Sequence, residues 1–338
     1  MILHLIPEKV DGCSYHRIEV PMHNLKGFDL AQSTVLDGVD DESLKKISLV
    51  VFSRDSVVSD VTGQIERLNK FKIPYVVDID DYWKLNKEHL AYKGFKEVTR
   101  VRLEQLMKGA AAVTTTSARL AAKIKNHNNN VVVIPNALMA CEPQWHYKQR
   151  PVGDPVFGWV GGTHHLSDIE LLLPCFKEVH QNGQLTLALG GWSLENEVFH
   201  IYEHWMSAAG RYKKYKRIKG ESVYNYGHIY DFMDVCLVPL LESKFTACKS
   251  PLKLIEAGFK SKACIVSRVA PYTDDFTDKE VLFVDDKAGW YPAMQKLYKN
   301  PNLLFDYKEA LSEKVQQFEI GKVNHIREQL YTTILNGK

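Results

Sequence analysis

The sequence lacks a strong net charge. Its 43 Lys and Arg stand against 41 Asp and Glu, a formal +2 over 338 residues. No global field therefore draws the chain to nucleic acid or to a membrane, and any basic patch must be local. Cysteine is scarce. Cys13, Cys141, Cys175, Cys236, Cys248 and Cys264 include no pair at C-x-x-C spacing, which sets aside zinc-ribbon and thioredoxin-type motifs. Most of the six sit in apolar runs, the usage of a reducing compartment. No apolar run approaches the roughly 20 residues that span a bilayer. Met1–Ile6 is too short for the apolar core of a signal peptide, has no basic leader, and reads instead as a first strand. The expected location is the cytoplasm. Also missing is a G-x-G-x-x-G turn after that strand, which argues against a nicotinamide-dependent dehydrogenase.

What is present is an ordinary globular composition, 45% apolar and 25% charged, in a chain too long for one ordinary core. Short β-rich runs alternate with amphipathic helical stretches from end to end. Met1–Ile6, Ser48–Ser53, Tyr75–Ile79, Ala112–Thr115 and Val131–Ile134 read as strands. The helical stretches Val61–Lys70, Phe95–Lys108 and Ala118–His127 lie between them. Cys141–Pro155, with three prolines, a glycine and little periodicity, reads as a linker. The alternation then restarts with Val156–Val160, Leu185–Ala188, Arg217–Lys219, Val235–Val238, Ala263–Ser267 and Val281–Val284. Apolar strands joined by helices make parallel sheets covered on both faces. The expected fold is α/β, two Rossmann-like domains at about 1–150 and 151–316 facing across a cleft, with a helix from about 317 packing back on the first.

Four segments carry candidate chemistry. After the first strand comes Pro7–Arg17, a loop whose single glycine, Gly12, precedes a helix start near Ser14. Free N–H groups at such a start favour an anion, to which Arg17 would add charge; a surface loop with a capping serine is the plainer reading. The second domain opens on Val160-Gly161-Gly162-Thr163 and an apolar helix, the strand–glycine–helix recipe of a phosphate cradle. His164 and His165 do not converge as neighbours on a helix, and no third ligand is evident, so no metal is expected there. In Lys249-Ser250-Pro251-Leu252-Lys253-Leu254-Ile255-Glu256, Ser250 and Pro251 read as a helix cap and first turn. Lys249 beside that positive end suggests an anion between them. Glu256 lies among apolar residues, where a carboxylate needs a partner; Lys253, Lys260 or a ligand could supply it. Finally, Asp78, Asp80 and Asp81 crowd one strand end. Asp80 and Asp81 are candidate catalytic acids, with a Mg²⁺ site or a helix-capping cluster as the rival readings.

Lys249–Ser267 resembles the signature of retaining GT-B glycosyltransferases of the bacterial "group 1", family 4-like, class. So do Gly158–Asp168, the strand Asp234–Leu240 and Val133–Ala137. The resemblance runs in order along most of the chain and is strongest from Phe157 to Tyr272. It implies transfer of a sugar from a UDP- or GDP-linked donor, probable retention in this family, and no tightly bound cofactor or metal, because helix ends and basic residues meet the leaving diphosphate. By the same resemblance Glu256 would hold the ribose hydroxyls. Lys249, Ser250 and Lys253 would hold the diphosphate, with Gly161, Gly162 and Thr163 approaching it. Tyr226 would flank the base, and Gly12 would lie under the diphosphate and sugar. Two departures stand out: Cys248 occupies the place of the family's second glutamate, and Thr163-His164 replace a common basic pair.

A sugar-nucleotide epimerase of the same fold and a non-catalytic nucleotide-sugar-binding protein are the alternatives. The acceptor, whether saccharide, lipid-linked, protein or modified nucleic acid, leaves no signature. Arg211–Lys219 holds six cations in nine residues, ordinarily a solvated face and otherwise a contact for a polyanion.

Overall fold

The structure is a computed structural model and describes residues 1–54, 60–85, 92 and 97–337. The chain divides into two compact units. Met1–Met139, Cys248–Ser250 and Phe318–Lys338 form the first, and Ala140–Ala247 with Pro251–Gln317 form the second. Each holds a six-stranded sheet whose pairings are all parallel. Among the described residues no helix is long and apolar enough to cross a membrane.

The first sheet contains β1 (Ile2–Leu5), β2 (Leu30–Ser33), β3 (Leu49–Ser53), β4 (Tyr75–Ile79), β5 (Ala112–Thr115) and β6 (Val131–Val133) in the order β2-β1-β3-β4-β5-β6. β2 is absent from the sequence reading for a physical reason. It is an edge strand, Leu-Ala-Gln-Ser, with no fully buried residue, and so has no continuous apolar run to announce it. The inner strands alternate between two buried faces. Tyr75, Val77 and Ile79 pack with Leu103, Leu106 and Leu120, from the helices Glu97–Gly109 and Ala118–Ile124. The helix start expected at Phe95 lies outside the described residues. Val51 and Val76 pack on the other face with Ile18, Met22, Leu330 and Tyr331. The last two come from the helix Ile320–Asn336, which is held further by Asn324 Nδ2 donating to Pro21 O at 2.8 Å.

The second sheet contains β7 (Val156–Val160), β8 (Thr186–Trp192), β9 (Tyr215–Lys219), β10 (Val235–Val238), β11 (Ala263–Ser267) and β12 (Leu282–Val284) in the order β12-β11-β10-β7-β8-β9. One face carries large side chains, among them Phe157, Trp159, Leu187, Leu189, Leu237 and Ile265. The other is built of small ones. A Cβ at Gly158 would lie 2.6 Å from the Met233 side chain, so the glycine is what allows the short helix Tyr226–Phe232 to sit close under the sheet. The stretch Cys141–Pro155, expected as a linker, is mostly exposed but anchored at two buried residues. It belongs to the second unit, and Gln144 and Trp145 are each only 2% exposed. The fully buried Lys260 ammonium donates to Gln144 O and His146 O and pairs with Asp231 at 2.7 Å. A buried ammonium needs such partners, and this stretch supplies its carbonyls.

Both strand orders reverse direction once, between β1 and β3 and between β10 and β7. In open parallel sheets the crevice beyond the carboxyl ends of such a pair is where ligands bind.

His4 lies within β1, 2% exposed, and its Nδ1 has no hydrogen-bond partner. Burial, with Arg327 and His23 adding to it, lowers its pKa from 6.5 to about 3. Below the unfolded value the unfolded chain binds a proton that the folded chain does not, so stability is lost as pH falls from about 6.5 toward about 3. His4→Gln removes this titration. Thermal melts across pH 4–7 are expected to show a shallower loss for the variant than for the parent protein; parallel curves would show that His4 does not contribute.

Candidate functional site

The second unit gathers its predicted residues around the β7–β10 reversal. β7 ends at Val160, and Gly161-Gly162 turn the chain into the short helix Thr163–His165. Gly161 is needed there for space. A Cβ would lie 2.6 Å from the Lys253 ammonium and 2.7 Å from the Trp159 ring, whereas a Cβ at Gly162 would meet nothing within 4 Å. The glycine turn is therefore crowded on its Lys253 side and open at Gly162.

Lys253 is in the first turn of the helix Leu252–Phe259. Its Nζ donates to Val160 O at 2.7 Å and sits 4.8 Å from the centroid of the Trp159 ring. An ammonium, a helix N-terminus and an exposed glycine backbone thus share one spot, the arrangement that receives an anion. One residue of the turn is also fixed from behind, by Tyr202 Oη donating to Thr163 O at 3.0 Å. His165 Nδ1 meets Asp168 Oδ2 at 2.7 Å, and Asp168 Oδ1 accepts from Leu241 N at 2.7 Å. Asp168 so ties the loop after β7 to the loop after β10. His165 is occupied by this pair, and among the described residues no cluster of three His, Cys, Asp or Glu side chains is placed to hold a metal ion.

Glu256 lies one turn beyond Lys253 and is 4% exposed. One partner of Glu256 is a residue that sequence reasoning did not offer. Tyr230 Oη donates to Glu256 Oε2 at 2.7 Å, and Lys260 is committed to Asp231. Tyr226 stands edge-on to Tyr230, ring centroids 6.2 Å apart. Burial, and then the charge of Glu256, raise both phenols well above their ordinary pKa, so they remain hydroxyl donors. The signal for Tyr230 was its spacing, four residues after Tyr226, but nothing in the sequence says which helix that face meets.

The first unit holds the other predicted residues. Gly12 opens a turn capped by Asp11, whose side chain accepts from Ser14 N at 2.8 Å; the cap is Asp11 and not Ser14. No heavy atom lies within 4 Å of a Cβ built on Gly12. Arg17, expected to bring charge to an anion, is 3% exposed. Nε and Nη2 donate to the two oxygens of Asp78, each at 2.8 Å, and Nη1 donates to Ile134 O and Asn136 Oδ1. Burial opposes its charge, and Asp78 outweighs burial, raising the pKa. Asp78 accepts a further bond from Thr114 Oγ1 at 2.6 Å.

Asp80 and Asp81 are matched by cations at the same strand end. Arg54 Nη1 lies 3.0 Å from Asp80 and 3.7 Å from Asp81, and Lys249 Nζ lies 3.4 Å from Asp81. Arg54 also donates to Cys13 Sγ at 3.9 Å. Sequence reasoning passed over Arg54; its signal was position, the first residue after β3 at the strand reversal. Ser250 does not cap the helix that follows. Pro251 occupies that place without a side-chain bond, and Ser250 Oγ accepts from Asn136 Nδ2 at 2.7 Å. Cys248, 2% exposed, packs in the first unit's core.

Neither models of protein families nor curated proteins give a match to this chain. Solved structures do. The chain is similar to a sucrose-phosphate synthase from Thermosynechococcus elongatus, 17% identical, with a TM-score of 0.67 over 87% of this chain and 75% of that one. It is similar to a glycosyltransferase from Rickettsia africae, 11% identical, with a TM-score of 0.70 over 100% and 99%. It is also similar to HepE of Anabaena in complex with UDP-glucose, 11% identical, with a TM-score of 0.69 over 98% and 99%. At these identities the likeness is one of fold. The α/β architecture of two parallel six-stranded sheets is that of the GT-B glycosyltransferases.

Tyr230→Phe deletes one donor to a buried carboxylate. Hydrogen bonds to charged groups contribute about 1.5–3 kcal/mol, and a fall in folding stability of that size is expected. Urea unfolding would read it as a lower midpoint at unchanged slope; an unchanged midpoint would mean that water or another donor replaces the phenol without loss.

Proposed function

We propose that the chain is a glycosyltransferase that moves a sugar from a UDP- or GDP-linked donor to an acceptor. The observation that carries this reading is the convergence, within the second unit, of the Gly161-Gly162 turn, the Lys253 ammonium and the buried Glu256 carboxylate at the sheet's reversal point. The fold neighbour solved with UDP-glucose supports the same donor class.

In this reading the diphosphate lies on the glycine turn. N–H groups of Gly161, Gly162 and Thr163 and the first turn of the helix Leu252–Phe259 face it, and Lys253 exchanges its bond to Val160 O for a phosphate oxygen. Glu256, oriented by Tyr230, accepts from the ribose hydroxyls, and Tyr226 flanks the base. The bond from the anomeric carbon to the phosphate oxygen breaks with its electron pair leaving on the diphosphate, and the acceptor hydroxyl oxygen forms the new bond to that carbon as its proton passes to the departing diphosphate oxygen. Stabilising that leaving charge and aligning the acceptor supply most of the catalysis. Asp80 and Asp81 are the candidate acids for holding the acceptor hydroxyl or the sugar, with Gly12 leaving room beside them and Arg54 and Lys249 paired to them. Arg17 acts through Asp78 as a positioning residue for that strand end. The outcome proposed is retention, as in the group 1 enzymes that the sequence resembles.

Glu256→Ala and Lys253→Ala are each expected to weaken UDP or GDP binding by about ten- to hundredfold, the equivalent of about 1.5–3 kcal/mol for a charge-assisted bond. Titration calorimetry measures this, with circular dichroism confirming that the variants fold. Unchanged affinity for both nucleotides in both variants would remove the donor site from this place.

A further inference from the structure

We propose that the face of the second unit at the amino ends of β8 and β9 docks on an anionic phospholipid bilayer. The starting observation is the run Arg211–Lys219, which places Arg211, Lys213, Lys214, Lys216, Arg217 and Lys219 within nine residues of a chain whose formal net charge is +2. All six are exposed. Arg217 is held by the Trp192 ring and Glu203. Lys214 donates to Gln184 O at 2.8 Å and lies 4.0 Å from Asp154, and Arg211 donates to Ala208 O at 3.1 Å. The side chains of Lys213 and Lys216 make no hydrogen bond or ion pair with any described residue.

The tyrosines between these cations decide what kind of polyanion fits. Tyr212 and Tyr215 pack against the core of the unit. Tyr212 Oη donates to Leu185 O, and the Tyr215 hydroxyl is buried. Neither ring is presented for stacking on a base, so the alternation that looks like a nucleic-acid surface in the sequence is not one in the fold.

Beside the run is a groove of about 510 Å³, between the helices Leu173–Asn182 and Glu197–Met206. Lys177, His180, His204 and Arg211 edge it, Phe176 and Trp205 line it, and no carboxylate does. The side chains of Lys177 and His204 have no hydrogen-bond or ion-pair partner among the described residues. The histidines fall in the last turns of their helices, where the dipole favours a cation. That accounts for those two and not for Lys177, Arg211 or the run beyond. Apolar groups are exposed alongside: Leu173 at 36%, and Ile201 at 39% one helical turn before the half-buried Trp205.

Exposed cations, most of them without a carboxylate partner among the described residues, next to exposed aliphatic groups and a tryptophan suit the headgroup layer of an anionic bilayer. There the phosphates take the lysines and arginine, and the apolar groups enter the acyl boundary. The carboxyl ends of the two helices, with Arg211, Lys213 and Lys214, precede β8 and β9 and so lie at the opposite end of the sheet from the glycine turn, while Lys216, Arg217 and Lys219 run along β9. A chain docked this way keeps its candidate donor site clear of the lipid. Docking is independent of the reaction the chain carries out, and binding alone reads it.

The experiment is co-sedimentation of the full chain with vesicles of phosphatidylcholine, with and without about 30% phosphatidylglycerol, at pH 7.5. Binding is expected only to the anionic vesicles and is expected to weaken as salt is raised. The triple variant Arg211→Glu, Lys213→Glu, Lys214→Glu, all at exposed positions, is expected to lose about a hundredfold in partitioning, from roughly tenfold or less for each charge near the surface. Reversing the exposed Lys45, Lys46 and Lys70 instead, which changes net charge equally, is expected to leave binding within about twofold. A single-stranded oligonucleotide at the same phosphate concentration is the competing arm. No binding of the parent protein to anionic vesicles, equal loss in the two triple variants, or tighter binding to the oligonucleotide would each overturn the proposal.

Discussion

Both sheets are parallel and covered on both faces, and that constraint governs where polarity can go. A central strand such as β4 or β7 has no solvent-facing side, so a polar group placed along it is buried and must be matched. Asp78 shows the consequence. It sits on β4, 3% exposed, and its charge is supportable only because Arg17 arrives with two parallel bonds and Thr114 with a third. The same guanidinium then holds Ile134 O and Asn136, so one buried pair joins the helical segment after β1 to β4, β5 and the end of β6. Removing one partner of such a pair leaves an uncompensated buried charge, typically a loss of 3–5 kcal/mol.

The predicted site residues lie at the carboxyl ends of the strands, and the two units arrange them with different chemistry. The first presents an alternating set of charges, Arg54 against Asp80 and Asp81, and Lys249 against Asp81. The second presents backbone, at Gly161 and Gly162, with a single ammonium over it and a carboxylate one helical turn behind. Charge paired with charge suits hydroxyl-bearing groups that need orienting. Backbone with one cation suits an anion. This contrast is a physical reason for assigning the donor diphosphate to the second unit's residues and the acceptor chemistry to the first's.

Several side chains change meaning once their neighbours are known. The aromatic–basic alternation of Arg211–Lys219 separates into outward cations and inward tyrosines. The proline-rich stretch after Ala140 provides the carbonyls that hold a fully buried lysine. Cys248, at the place where the resemblance to the group 1 enzymes leads one to expect an acid, is a buried core residue next to Lys249 in the chain.

The sequence by itself determined the two-sheet α/β architecture, because runs such as Val235–Val238 and the largely apolar Ala263–Ser267 are strands that a parallel sheet covered on both faces buries. It also determined the existence of the glycine turn after β7 and the placing of Lys253 and Glu256 one turn apart, since helix spacing is a property of the local chain. It could not show β2, whose half-exposed Leu-Ala-Gln-Ser has no pattern apart from its pairing with β1. Nor could it choose Asp11 over Ser14 as a cap, since both residue types cap and only the path of the loop decides. Tertiary structure alone settled the partners: Tyr230 for Glu256, Asp78 for Arg17, Asn136 for Ser250, Arg54 for Asp80. Those partners are separated by 26 to 114 residues, and at such separations the pairing follows from which strands lie side by side, a consequence of sheet order that no local pattern encodes.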